Sequence, residues 1–354
     1  MERLIAVARS SITSAKLRSV VRATSVGALV TLLGLVAGGP VHAQQSILSR
    51  EFTDAVFRYL PLIAASAGFT YHFDPDTGAF ERETAIAGQL FVERPDPVGK
   101  GRWNLSLNYQ RVKFDTVQGH DLNRLTDPSY GVLDYDLELH EFTASATYGL
   151  SENSEVNLAV PVIYSDFSST SSWYGRTRQT NLEVDPIFLR GKYRLLQRDT
   201  VQAAAGLVVR MLTEDLLTEG ADWRVQAAPM LYLSTKSAQV APWARLRPYL
   251  NTGVNFDEDL ADSEALWSIG LDCAASDRFT AALAVLGRHQ FRRVKGLEIF
   301  GISEERADIY DLSIGGRVNL WRDTLIAFAN AIVPLNRDGL RADVIPLAGI
   351  EATF

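Results

Sequence analysis

Cysteine is nearly absent from this chain. Cys273 stands alone among 354 residues, so no disulfide within the chain can staple the fold. Histidine is sparse too: His42, His72, His120, His140 and His289 are scattered, and none makes a pair at metal-ligand spacing. No glycine-rich phosphate loop and no nucleophile elbow occurs. His140 lies beside Glu141, and no convergent nucleophile and base accompany it. The sequence therefore reads as a non-enzyme with no cofactor and no metal. Basic runs are missing as well. With 35 Lys and Arg against 42 Asp and Glu, nucleic acid is not an expected partner. No apolar run reaches the roughly 20 residues that a membrane-spanning helix needs.

The N-terminus does carry a pattern. Residues 1–22 hold Arg3, Arg9, Lys16, Arg18 and Arg22 against one acid, Glu2. An apolar stretch over 26–37 follows, then Gly38, Gly39, Pro40, Val41, His42 and Ala43. Basic, apolar, then small residues predict a secretory signal peptide, 1–43, cleaved after Ala43. The alternative, a membrane anchor, meets a run of about a dozen residues, too short to span hydrocarbon. Loss of this segment leaves 30 basic residues against 41 acidic ones. In the N-terminal segment that follows, 44–66, Leu48, Phe52, Ala55, Val56, Tyr59 and Leu60 share one helical stripe. That stripe predicts either a short helix able to plug a lumen or rest at its mouth, or a mobile leader.

From residue 67 to 354 the chain reads as one domain of about fourteen short stretches that alternate apolar and polar residues. The gaps alternate as well. Tight ones fall at 150–154, 197–199, 238–241, 276–277 and 321–323; wide, mostly polar ones fall at 116–133, 167–181, 214–222, 257–262 and 295–306. A transmembrane antiparallel β-barrel needs this arrangement, with strands of roughly ten residues, short turns on one rim and long loops on the other. The predicted fold class is therefore all-β, an outer-membrane barrel of about fourteen strands. The first hairpin would lie over 68–93, and twelve strands is the runner-up if that hairpin stands outside the wall.

Alternate residues of a strand point to opposite faces. Over 102–110, Trp103, Leu105, Leu107 and Tyr109 oppose Asn104, Ser106, Asn108 and Gln110. Over 187–195, Ile187, Leu189, Tyr193 and Leu195 oppose Arg190, Lys192 and Arg194. A charge at mid-membrane on the lipid face costs about 2–4 kcal/mol, so the polar rows must face a lumen. This register gives an inward row of Arg190, Lys192, Arg194, Arg210, Arg224, Arg245, Arg247, Arg288 and Arg317. Glu141, Asp272, Asp311 and Glu351 are candidate partners on the same side. Such a lining suits a path for polar or anionic solutes, or an internal lattice of ion pairs stiffening a closed barrel. Trp103, Trp223, Trp243, Trp267 and Trp321 fall at strand ends, as interfacial girdles require. The acidic loop tips at 214–222, 257–264 and 304–308 read as solvated, or as holders of divalent cations that bridge lipopolysaccharide phosphates.

The final residues place Ile350, Ala352 and Phe354 on one face. This resembles the C-terminal signal read by the barrel-assembly machinery, with Phe354 as its last residue. Tyr148-Gly149-Leu150-Ser151-Glu152-Asn153-Ser154-Glu155, continuing to Val160-Pro161, resembles a turn motif of the outer-membrane family labelled phenol meta-pathway degradation proteins. Asp185-Pro186-Ile187-Phe188-Leu189-Arg190-Gly191-Lys192-Tyr193-Arg194-Leu195-Leu196 is similar to another strand of that family, with Val184 where the family has Gly. The likeness is clearest over 142–213. It implies a bacterial outer-membrane barrel linked to uptake of aromatic or other hydrophobic compounds, and the N-terminal pattern adds export with signal cleavage. The expectation is a channel-like barrel passing small organic solutes, with membrane lipid and lipopolysaccharide as neighbours. The alternative is a plugged structural or surface-interaction barrel working through its loops.

Overall fold

Period-two sequences leave each strand with one face to bury and one to expose, and closing the sheet satisfies every edge. A computed structural model describes residues 71–74, 79–82, 92–127, 131–173, 175–184, 186–198, 200–213, 223–258, 263–276, 278–291, 308–321 and 324–354. Twelve antiparallel strands form its wall: β1 (Trp103–Phe114), β2 (Gly131–Ser151), β3 (Ser154–Ser171), β4 (Ile187–Gln197), β5 (Val201–Thr213) and β6 (Trp223–Thr235) are the first six. β7 (Ala244–Asn255), β8 (Glu264–Ala274), β9 (Phe279–Gln290), β10 (Ile309–Trp321), β11 (Leu325–Pro334) and β12 (Ile345–Thr353) complete it. Each strand pairs with its neighbours in sequence, and β12 pairs with β1 to close the ring. At the seam the Trp103 N–H donates to the Phe354 carbonyl and the Phe354 N–H to the Trp103 carbonyl, both at 2.9 Å.

The strand count is thus the runner-up, twelve. The hairpin Tyr71–Asp74 and Ala79–Arg82 forms a separate two-stranded sheet and takes no place in the ring. Alternation alone cannot tell a wall strand from a free hairpin. Two prolines, Pro95 and Pro97, stand between this hairpin and β1, and neither can donate to a ladder.

The outward rows are apolar: Leu107, Phe142, Leu158, Leu189, Leu250, Ile269, Ile314 and Ile350 are all exposed. Tight turns gather on the rim that carries Trp103 and Phe354, with Trp243 and Trp321 exposed there. Long connections gather on the opposite rim. One tight turn sits elsewhere than expected: Ala238–Ala241 is itself extended and pairs back onto β7, and the reversal falls at Pro242 and Trp243.

Two wide connections are not simply solvated. Within 115–130, Thr116–Val117 pairs with both His120–Asp121 and Leu340–Arg341, and a 3₁₀ turn, Leu122–Arg124, follows. Asp121 caps that turn by accepting the Asn123 N–H at 3.0 Å. Val117, Leu122, Leu125 and Leu340 join an apolar cluster with inward residues of β10, β11, β12, β1, β2 and β3. Enough apolar side chains lie among the polar ones for these loops to fold inward rather than stand in water. On this side the interior is apolar toward the loop rim and polar toward the turn rim. The inner faces of β4–β9 are mixed: Lys192, Gln202, Gln226, Arg247, Glu264, Ser268, Asp272 and Thr280 are buried there beside Ala204, Tyr232, Tyr249 and Ala284.

Candidate functional site

The inner wall meets a segment that sequence alternation does not announce. Residues 92–99, Val-Glu-Arg-Pro-Asp-Pro-Val-Gly, are buried throughout and belong to no strand or helix. Without N–H groups at Pro95 and Pro97, this stretch must be held by side chains. Gly99 (φ 98°) and Gly101 (φ 72°) take left-handed conformations that turn the chain out of the interior and into β1. At that bend Gly149 admits no side chain, since a Cβ would run into the Gly99 carbonyl. The Gly101 N–H instead donates to the Gly149 carbonyl at 2.8 Å, and the Gly149 N–H to the Arg102 carbonyl at 3.0 Å.

Charged groups of the wall grip this segment. Lys192 Nζ lies 2.7 Å from Glu93 and 2.7 Å from Glu155, and donates to the Arg94 carbonyl at 2.9 Å. Glu155 also accepts the Val98 N–H at 2.7 Å. Arg247 pairs with Asp96, donates to Gln202, to Ser234 Oγ at 3.0 Å and to the Thr235 carbonyl at 3.0 Å, and lies 5.2 Å from the Tyr249 ring centroid. Asp272 stands directly across the ladder from Arg247. Val92 packs on Tyr249, Ala284 and Leu286. Buried charges survive only when paired and hydrogen-bonded, and Lys192, Glu93, Glu155, Arg247 and Asp96 each have such a partner. The segment is therefore a plug held by a few ion pairs rather than by a ladder.

The residues expected to line a lumen separate by partner. Lys192 and Arg247 hold the plug. Arg194 clamps a turn, donating to Asn153 Oδ1 at 3.1 Å and the Glu152 carbonyl at 2.9 Å. Arg288 pairs with Glu264 at 2.8 Å. Arg317 lies 3.7 Å from Glu351 and 5.4 Å from the Phe328 ring centroid, and Glu351 also accepts from Asn104. Asp311 pairs with Arg341. Glu141 accepts from Gln110 and Thr143, both at 2.5 Å. Arg245 is exposed next to the turn at Pro242 and Trp243. The Arg224 side chain lies outside the described residues, as do Ala43 and the whole 44–66 segment with its expected plug stripe. Phe354 closes the seam of the ring.

Arg190 and Arg210 gather at one aromatic ring. Their guanidinium carbons lie 5.3 and 5.8 Å from the ring centroid of Phe188, a third inward residue. Arg210 also donates to Gln226 Oε1 at 3.4 Å. Arg190 is half-buried, and its Nε meets no hydrogen-bond partner among the described residues. Phe188, Glu93, Asp96 and Glu155 were not among the expected site residues. The signal that could have found the plug is its two prolines interleaved with charges just ahead of the first wall strand.

No family model matches the chain, and no curated protein matches it. Among solved structures, an outer-membrane channel from Pseudomonas putida F1 is similar at 10% identity and a TM-score of 0.48, over 73% of this chain and 98% of that one. The CymD monoaromatic hydrocarbon channel is similar at 8% identity and 0.34, over 72% and 89%. LpxR from Salmonella typhimurium is similar at 9% identity and 0.40, over 71% and 99%. At such identities and scores these are likenesses of barrel form and carry nothing about what passes or reacts inside.

Proposed function

We propose that this chain is an outer-membrane channel for small organic solutes, aromatic or anionic, that rests closed by residues 92–99. The observation that carries the reading is the contrast between wall and plug. The wall is a continuous hydrogen-bonded ring with an apolar exterior, while the plug belongs to no ladder and is gripped by side chains of the wall, Lys192, Glu155 and Arg247 among them. A closed barrel with an outward apolar band is one of the two backbone solutions that a bilayer permits. On this reading the chain is exported with cleavage after Ala43, is recognised for assembly through Phe354, and meets lipopolysaccharide around its loop rim.

Proteoliposomes test the reading. Glu93→Gln with Asp96→Asn should admit small radiolabelled organic solutes faster than protein-free vesicles do. Lys192 then keeps Glu155, and Arg247 keeps Gln202 and Ser234, so the wall stays paired. No uptake by folded wild type or variant would sink the channel. The inward packing of Leu122 and Leu340 would then favour the second reading, a filled barrel working through its loops.

A further inference from the structure

We infer that the barrel interior holds a binding site for an aromatic carboxylate, built on Phe188, Arg190 and Arg210, and that Glu93 and Asp96 are internal stand-ins for that ligand's charge. The inference deepens the channel reading and rests on it.

Phe188, Arg190, Lys192 and Arg194 succeed one another on the inward face of β4, and Arg210 faces Phe188 directly across the β4–β5 ladder. The row therefore steps from the loop rim toward the turn rim. Its lower cations are occupied. Lys192 holds the carboxylates of Glu93 and Glu155, and Arg194 holds the turn. Across the interior, Arg247 holds Asp96. In two of these places the plug supplies a carboxylate to a wall cation. The chemistry that this wall recognises is already on display in the closed state.

Arg190, one step nearer the loop rim, has no such carboxylate among the described residues. Glu93 is the acid whose field acts on it, and that acid is bound to Lys192. Arg190 is half-buried, and its buried Nε meets no acceptor among the described residues. A buried guanidinium wants planar acceptors, and a carboxylate offers two oxygens in matching geometry. The ring of Phe188 beside it supplies an aromatic surface. Ala159, buried, lies directly across the ladder from Phe188, and buried Ile163 stands on the same face further along β3. A flat apolar ring bearing one carboxylate satisfies both halves of this site. Neither a neutral ring nor a small aliphatic acid does.

The positions also suggest an order of events. A carboxylate held at Arg190 lies one step from Lys192, so its advance competes with Glu93 for the same ammonium group. Displacement of Glu93, then of Asp96, frees the plug. Solute charge thus replaces Glu93 at Lys192, and Arg247 keeps its bonds to Gln202, Ser234 and the Thr235 carbonyl.

The test is calorimetric titration of the detergent-folded protein with benzoate, benzyl alcohol and acetate. Benzoate should bind at least tenfold more tightly than either of the others. Arg190→Gln should lose tenfold or more, Arg190→Lys should retain part of the affinity, and Glu93→Gln with Asp96→Asn should bind benzoate several-fold more tightly. Heat-modifiable gel mobility establishes that each variant is folded. Benzoate binding no better than acetate, or unchanged in Arg190→Gln, overturns the site. If solute uptake persists in that case, the channel stands without this site. If benzoate binds but no solute ever crosses, the channel reading falls, and the displacement step with it.

Discussion

Replacing Lys192 with Met removes a cation that two buried carboxylates share. Both lie 2.7 Å from Nζ, so they stand no farther apart than about 5.4 Å. At an effective dielectric constant of about 20, two unit charges at that separation repel by at least about 3 kcal/mol. Breaking buried pairs typically costs about 3–5 kcal/mol, in the same range. Glu155 is fixed in β3, whereas Glu93 sits on an unpaired segment, so Glu93 is the group that leaves. A bias of about 3 kcal/mol multiplies the unplugged fraction by roughly 150 at 25 °C. Proton uptake offers relief. Protonating an ordinary glutamate costs about 4 kcal/mol at pH 7 but only about 1 kcal/mol at pH 5. The gain in mean conductance per molecule in planar bilayers should therefore be large at pH 7 and shrink as pH falls toward 5. A folded Lys192→Met protein that conducts like wild type at pH 7 would refute the reasoning, as would a gain that grows with acidity.

Other perturbations separate the parts of the account. Ile269→Arg places a cation at the middle of the exposed face of β8, and should cost about 2–4 kcal/mol in urea unfolding from lipid. A cost near zero would mean that this face does not meet hydrocarbon. Gly149→Ala drives a methyl group into the Gly99 carbonyl, so the plug bend must shift and conductance should rise while the barrel stays folded. Wild-type conductance would show that the bend does not hold the plug. Leu122→Ala empties a fully buried position under the inward-folded loop, at a cost of about 2–5 kcal/mol. Amide exchange across 115–125 should accelerate, and unchanged protection would contradict the loop's inward packing.

The wall was legible because a two-residue period leaves each side chain only two directions. Rows such as Asn104, Ser106, Asn108 and Gln110 against Trp103, Leu105, Leu107 and Tyr109 could be sorted without coordinates. Pairing was not legible. Alternation places Arg194 and Lys192 on one face, but nothing in it says that Arg194 clamps Asn153 while Lys192 reaches Glu93, 99 residues away in sequence. Arg245 shares the parity of Arg247, yet its place beside the turn leaves it exposed. The plug escaped because residues 79–93 alternate like a strand, and only the prolines beyond them betray a chain that cannot join a ladder. The loop carrying Leu122 reads as polar, and its few apolar side chains matter only once Leu340 is brought beside them. The glycine of the Tyr148-Gly149-Leu150 motif gains a physical reason that the motif alone does not give, since the plug backbone passes where its side chain would be.

The central claim is that residues 92–99 hold the barrel closed, fastened there by Glu93 and Asp96. The most direct test is single-channel recording in planar bilayers of the folded wild-type protein beside Glu93→Gln with Asp96→Asn. The account predicts rare openings for the wild type and steady, salt-dependent openings for the variant. Steady conductance from both, or silence from both, would contradict it.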